Sequence, residues 1–259
     1  MTAHRFEIAF LNFQIAMAFL MVAKMSSVDS SRAAYFDIDG TLTATNIVMP
    51  LIWYRRKLTS PLGFFFWQLS LAVRGPWWLL LDRIDRAKSN RSIYRSYGGL
   101  DREAVRKLED ECYRACIRSR LMPPAHSRLQ ELQADGVKIV FITGGLDFVM
   151  KPLARELGAE CYAPSLIETD GRFTGDLVDG ALSGKGKADA VHAHAGKNKI
   201  NLKESFAFGD SYADLEMLEC VGHPVAVNPD STLKKIATER GWTIEKWKWH
   251  ANGRAERKS

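Results

Sequence analysis

The chain has 259 residues, enough for one large domain or for a core domain carrying a smaller insertion. Its composition, 46% hydrophobic and 25% charged, is ordinary for a globular protein, and its formal net charge of +6 suits anionic ligands. The charge concentrates between Arg83 and Arg106 and in Lys246, Lys248, Arg254, Arg257 and Lys258, without the basic-aromatic pattern of a nucleic-acid surface, so nucleic acid is not an expected partner.

Residues 1–30 open the chain as an apolar extension. Ile8 to Ala23 are mostly apolar, but Asn12 and Gln14 interrupt them, the run is short for a membrane span, and no small-residue cleavage site follows. Three readings stay open: an upstream start that is not used, a weak membrane anchor, and a helix packed on the body, with the first favoured. Next comes the apolar run Ala33-Ala34-Tyr35-Phe36, which stops abruptly at Asp37-Ile38-Asp39-Gly40-Thr41. This pattern predicts a buried parallel strand that delivers carboxylates to its carboxyl end, where open α/β sheets place their ligands. Alternation puts Asp37 and Asp39 on one side with Ile38 turned away. Gly40 lets the backbone turn sharply and brings amide groups close to whatever binds there. Two carboxylates at one strand end repel unless a cation or a shared proton intervenes, and a hard divalent ion, Mg²⁺, is the simplest resolution.

Residues 45–119 read as helical and aromatic, without strand signals. Strands and helices then alternate. A helix follows Pro123-Pro124, a buried strand spans Gly136 to Ile142, and a helix runs from Leu146 to Leu157, closed by Gly158. Ser205 to Phe208 is a further strand ending in Gly-Asp, Tyr212 to Cys220 a helix, and Pro224 to Val227 a strand. Such alternation implies an α/β fold: a doubly wound parallel sheet with a Rossmann-like core, residues 31–44 and 120–245. An all-helical cap, residues 45–119, is inserted after the first strand and sits above the carboxylates. Residues 246–259 form a frayed basic tail. Cys112, Cys116, Cys161 and Cys220 lack metal-ligand pairing and read as reduced packing residues of a cytoplasmic protein.

Three later strand ends or helix starts carry polar residues. Thr143-Gly144-Gly145 offers a hydroxyl and free amides at a helix start, a ready anion site. Lys187 opens another helix and supplies a positive charge. Asp210 and Asp214, four residues apart, can hold a cation directly or through its waters. Taken singly, each has a bland counterpart: a turn, a solvated lysine, an acidic first turn. Their joint order along the chain is what carries the reading.

Asp37-Ile38-Asp39-Gly40-Thr41, then Thr143, then Lys187, then Gly209-Asp210 with Asp214, resemble the four motifs of the haloacid dehalogenase-like hydrolases, and most closely the phosphoserine-phosphatase-like branch (subfamily IB). The resemblance covers residues 32–243, including Asp170 to Asp176 and Val221 to Pro229. It implies a phosphomonoesterase in which Asp37 attacks phosphorus to form an aspartyl-phosphate and Asp39 is general acid, then general base. It further implies Mg²⁺ held by the Asp37 carboxylate, the Asp39 carbonyl, Asp210 and Asp214. Gly40, Thr143, Gly144, Gly145 and Lys187 would bind phosphoryl oxygens.

The sequence departs from phosphoserine phosphatases at Asn46. Those enzymes carry an acidic residue nine positions after the nucleophile, where it helps hold the substrate's ammonium group. Phosphoserine is therefore the runner-up substrate, behind another small or lipid phosphomonoester. The aromatic segments Leu62 to Val73 and Trp77 to Leu81 allow two readings: a cap that buries its aromatics against itself, or a face that touches a bilayer or accepts a lipid tail. Arg74-Gly75-Pro76 is expected to break the segment and rule out a single spanning helix. Membrane association of an otherwise cytoplasmic protein follows from the second reading. Two alternatives complete the set: a phosphotransferase that passes the phosphoryl group to an alcohol, and, of another class, a non-catalytic membrane-associated binding module.

Overall fold

The computed structural model describes residues 32–249. The expectations for residues 1–30, and for Arg254, Arg257 and Lys258, lie outside the described residues. In chain order the strands are β1 (Ala33–Phe36), β2 (Lys138–Ile142), β3 (Glu160–Tyr162), β4 (Leu166–Thr169), β5 (Arg172–Leu177), β6 (Phe206–Gly209), β7 (His223–Val227) and β8 (Thr243–Glu245). The α-helices are α1 (Val48–Leu58), α2 (Pro61–Ile84), α3 (Arg86–Tyr94), α4 (Arg102–Lys107), α5 (Glu109–Cys112), α6 (Pro123–Ala134), α7 (Asp147–Leu157), α8 (Lys185–Asn198), α9 (Leu215–Glu219) and α10 (Ser231–Glu239).

Six strands form one sheet in the order β3-β2-β1-β6-β7-β8, with every pairing parallel. The apolar runs explain it, because a parallel sheet covered on both faces needs both alternating sets of side chains to be apolar. Ala34 and Phe36 turn to one face with Phe141 and Phe208, where the Phe36 and Phe208 rings stack at 4.2 Å. Ala33 and Tyr35 turn to the other with Val140, Ala207 and, from α8, Val191. Strand order reverses at β1, since β2 and β3 lie on one side and β6 to β8 on the other. That reversal opens a crevice at the carboxyl end of β1.

Between β1 and β2 the chain is helical, with a π-turn at Tyr113–Ile117 and short 3-10 turns at Arg95–Tyr97 and Arg118–Arg120. Its underside is closed by a hairpin contributed from beyond β3. β4 and β5 pair antiparallel around Asp170 and Gly171, both at positive φ, as a tight hairpin turn demands. Gly99 and Arg102 of the helical region donate backbone hydrogen bonds to the Phe173 and Gly171 carbonyls, at 2.8 and 2.9 Å. Phe148 of α7 packs between Tyr54, Tyr97 and Phe173, tying cap, core and hairpin together.

Three local expectations are corrected. Arg74-Gly75-Pro76 does not break the aromatic segment: α2 runs unbroken from Pro61 to Ile84 with Pro76 inside it. The backbone carbonyl that Pro76 leaves without a partner belongs to Ala72, on the exposed side, where water can satisfy it. The tail does not fray at residue 246. Trp247 is buried, and its backbone exchanges hydrogen bonds with the Asn228 side chain at 2.8 and 2.9 Å. The helix expected from Tyr212 begins as a 3-10 turn, Tyr212–Asp214, and becomes α9 only afterwards.

Candidate active site

Asp37 and Asp39 follow β1 and both line the crevice, while Ile38 is fully buried in the core, as alternation requires. Gly40 has φ +91, and a Cβ there would stand 2.7 Å from the Asp210 carboxylate carbon, so no other residue fits between the two acidic loops. The Thr41 hydroxyl donates to Asp210 Oδ1 at 3.1 Å. Asp39 is oriented by a short hydroxyl chain. Thr45 donates to its Oδ1 at 2.5 Å and in turn accepts from the Thr43 hydroxyl at 2.5 Å.

β6 ends at Gly209 and delivers Asp210 beside Asp37. The turn that follows is pinned by Asp214, whose Oδ2 accepts from the Asp210 amide (3.2 Å), the Ser211 amide (3.1 Å) and the Ser211 hydroxyl (2.9 Å). Lys187, in the first turn of α8, reaches across to Asp37 Oδ1 and Asp214 Oδ1, both at 2.5 Å. One buried ammonium thus bridges carboxylates from two strand ends.

Burial drives the electrostatics. It pushes the Asp39 carboxyl up to about 6 against the opposing hydrogen bond from Thr45, with the Asp37 charge adding to the rise. Burial also raises Asp37, although Lys187 pulls the other way, and it raises Asp210 well above the carboxylate range with help from Asp214 and Asp37. Asp214 moves down, because Lys187 and Ser211 outweigh the burial that opposes them. For Lys187 burial disfavours the charged form, but Asp214 and Asp37 outweigh it and hold the ammonium charged.

Fully ionised, the four acids would carry two more negative charges than Lys187 and Arg86 offset, and the upward shifts of Asp37, Asp39 and Asp210 reflect that excess together with burial. Carboxylate oxygens of Asp37, Asp210 and Asp214 lie within 4.8 Å of one another, and the buried Asp39 Oδ2 has no hydrogen-bond partner. An all-oxygen donor set of this kind fits a hard divalent cation. Asp214 already spends both oxygens on Lys187, Ser211 and the Asp210 amide, so Asp37 and Asp210 carry the freer lone pairs.

The structure brings Asp37, Asp39, Gly40, Gly144, Lys187, Asp210 and Asp214 together around a cavity of about 700 Å³. Thr143 and Gly145 do not line it. Thr143 is fully buried, its hydroxyl accepts from the Gly145 amide at 3.0 Å, and a Cβ on Gly145 would strike Met150. The opposite wall comes from the cap and is largely apolar: Ile47, Val48, Met49 and Ile52 at α1, with Leu71 and Trp78 from α2.

Sequence reasoning missed four contributors. Thr45 holds Asp39, and its signal was the hydroxyl at every second position, Thr41, Thr43 and Thr45. Arg86, Ser89 and Asn90 of α3 line the cavity, and the Arg86 charge favours ionisation of Asp37, Asp39, Asp210 and Asp214 alike. Nothing local marks Arg86 among the arginines between 83 and 95.

Comparison with known proteins agrees with this geometry. Residues 34–219 match the haloacid dehalogenase-like hydrolase family. Phosphoserine phosphatase SerB1 of Mycobacterium tuberculosis is 31% identical over 226 residues, covering 84% of this chain and 71% of that protein. A histidinol-phosphatase of Neisseria meningitidis is 26% identical over 238 residues, covering 83% and 98%. A substrate-bound phosphoserine phosphatase structure superposes with a TM-score of 0.63 at 19% identity, over 83% of this chain and 92% of that one, a likeness of fold. These matches set aside the reading as a non-catalytic module. The chain therefore belongs to the haloacid dehalogenase-like hydrolases and is a phosphatase of the phosphoserine-phosphatase-like branch.

Proposed function

We propose that the chain hydrolyses a phosphomonoester with an apolar body, a lipid phosphate, through a phosphoryl group carried on Asp37 and with Mg²⁺ bound at Asp37, Asp210 and the Asp39 carbonyl. The observation that carries this reading is the cavity itself, which sets a carboxylate-lysine cluster on its floor against an apolar wall from α1 and α2. Bound Mg²⁺ would neutralise phosphoryl oxygens and keep the clustered carboxylates ionised.

The protein's own groups supply the rest. Asp37 attacks phosphorus while the ester oxygen departs, and Asp39, protonated up to about pH 6 in the unliganded site, gives that oxygen its proton. A water then attacks the phosphorus of the aspartyl-phosphate, with Asp39 now taking its proton, and phosphate leaves as Asp37 is regenerated. Lys187 holds Asp37 in place before attack and offsets charge on the transferring group. Asp214 fixes Lys187 and the Asp210 turn. Among the glycines of the expected anion loop, Gly144 alone meets the cavity, so its amide is the candidate donor to a phosphoryl oxygen, and Thr143 shapes that loop from behind.

Phosphoserine is the second reading, favoured by the likeness to SerB1, a phosphoserine phosphatase by name. Asn46 weighs against it. Its side-chain oxygen accepts from the Val48 and Met49 amides at 3.0 and 3.2 Å, so it caps α1 and has neither the charge nor the free oxygen to hold an ammonium. Phosphate release from phosphoserine and from a lipid phosphate in mixed micelles separates the two. Preference for phosphoserine would replace the first reading with the second.

A further inference from the structure

Helix α2 is apolar on every side. Phe64, Trp67, Leu71, Trp78 and Leu81 turn inward at helical spacing. With them lies Arg74, whose guanidinium donates to Ser70 and Ser96 and sits over the Trp67 and Trp78 rings. The opposite side is equally apolar and is not covered by any of the described residues. Phe65, Phe66, Leu69, Val73, Trp77 and Ile84 are each more than half exposed. Of the exposed α2 positions whose side chains are described, Gln68 is the sole polar one. A 24-residue helix is about 36 Å long, so this is a contiguous strip, far beyond the scattered apolar residues of an ordinary surface.

A helix apolar all round belongs in a protein core or in lipid. Among the described residues no helix is long and apolar enough to cross a membrane, so α2 cannot be read as a span. The strip is continuous with the catalytic cavity. Leu79 is 71% exposed and also lines that cavity, as do its neighbours Gly75 and Pro76.

We infer that the outer face of α2 docks on the surface of a lipid bilayer, with the cavity mouth at its edge, so that substrate passes from the lipid layer along Leu79 to Asp37. The inference rests on the lipid-phosphate reading above and adds the surface from which that substrate comes. Lipid fits the strip better than a protein does. A protein interface carries a polar rim and about one hydrogen bond per 100–200 Å², and among the described side chains this face offers Gln68 alone. The chain's net charge of +6 further suits an anionic bilayer. In this arrangement α2 lies in the interface plane, its aromatic rings below the head groups.

The test is co-sedimentation with vesicles of phosphatidylcholine and phosphatidylglycerol, comparing the full chain with the triple variant Phe65→Ser, Leu69→Ser, Trp77→Ser. All three positions are exposed and outside the catalytic cavity. The parent is expected to pellet, and the variant to partition roughly 100-fold more weakly. Turnover of a water-soluble phosphomonoester is expected to be unchanged in the variant, and turnover of vesicle-borne phosphatidate to fall with binding. A parent that stays in the supernatant, or a variant that pellets equally, overturns the inference. So does self-association of the parent that the variant abolishes, which would assign the face to a second copy. Vesicle binding seen only after removal of residues 1–24 would likewise assign it to the chain's own apolar stretch. Strong vesicle binding without phosphate release from any probe would instead retire the proposed function and leave the docking surface standing.

Discussion

Lys187→Met probes the electrostatic core of the site. The parent ammonium is buried and lies 2.5 Å from carboxylate oxygens of both Asp37 and Asp214. Two effects oppose each other on its removal. Methionine fills similar volume without the cost of desolvating an ammonium, whereas Asp37 and Asp214 lose their shared counter-charge. Truncating one partner of a buried ion pair usually costs about 3–5 kcal/mol, so the second effect is expected to win. The carboxylates have one escape, which is to bind protons, and it makes the loss depend on pH. Asp37 is already raised by burial, and without Lys187 both acids titrate above their unfolded values. The folded variant then holds more protons than the unfolded chain throughout the window between those values, so its stability falls as pH rises through that window. Urea melts in EDTA should therefore show a small loss at pH 5 and the full ~3–5 kcal/mol at pH 8. The larger loss corresponds to a drop in Tm of roughly 10–15 °C for a chain of this size. Added Mg²⁺ should recover part of it by supplying the missing charge. A loss below about 1 kcal/mol at pH 8, or one independent of pH, would refute the claim that Lys187 neutralises the cluster.

Two further expectations follow from single contacts and a third from the reaction class. Thr45→Val removes the 2.5 Å hydrogen bond that holds the Asp39 carboxyl down, so the limb of the pH–rate profile set by Asp39 should move to higher pH; an unmoved limb would mean that Asp39 does not set it. Asn46→Asp keeps an α1 cap and adds a charge at the cavity wall, so kcat/KM for phosphoserine relative to an uncharged phosphomonoester should rise about tenfold, and an unchanged ratio would remove Asn46 from substrate selection. Glycerol or ethanol in the assay should leave the ratio of free phosphate to alcohol phosphate ester near one-sided for phosphate, whereas dominant ester formation would identify a phosphotransferase.

Much of the fold and several site residues were legible because their signals are local. Apolar runs that stop at Asp37 and at Gly209-Asp210 report both the strand and the position of its end, and strand ends are where this topology gathers ligands. Gly158 at φ +65 closes α7 where the sequence placed the stop. What escaped depended on contacts between distant segments. The break expected at Pro76 follows from peptide chemistry, but the chain places the orphaned carbonyl on an exposed side and continues the helix. The β4–β5 hairpin was hidden because its short strands alternate with charged residues and gain their partner surface only from Gly99 and Arg102. Arg86 and Asn90 reach the cavity only because α3 packs against α2 and β5, segments distant from it or uninformative about it in the sequence. Thr143, placed correctly in the motif, turns its hydroxyl to the loop backbone, which the spacing alone could not reveal.

The most direct test of the account is phosphate release from a lipid phosphate in mixed micelles, measured with Mg²⁺, with EDTA, and with Asp37→Asn. Turnover should require the metal, return when Mg²⁺ replaces EDTA, and fall by at least ~10³ in the variant, which keeps the shape of the site but loses the attacking carboxylate. Activity in the variant within about tenfold of the parent, or turnover that survives EDTA, would contradict the assignment of Asp37 and of the carboxylate cluster.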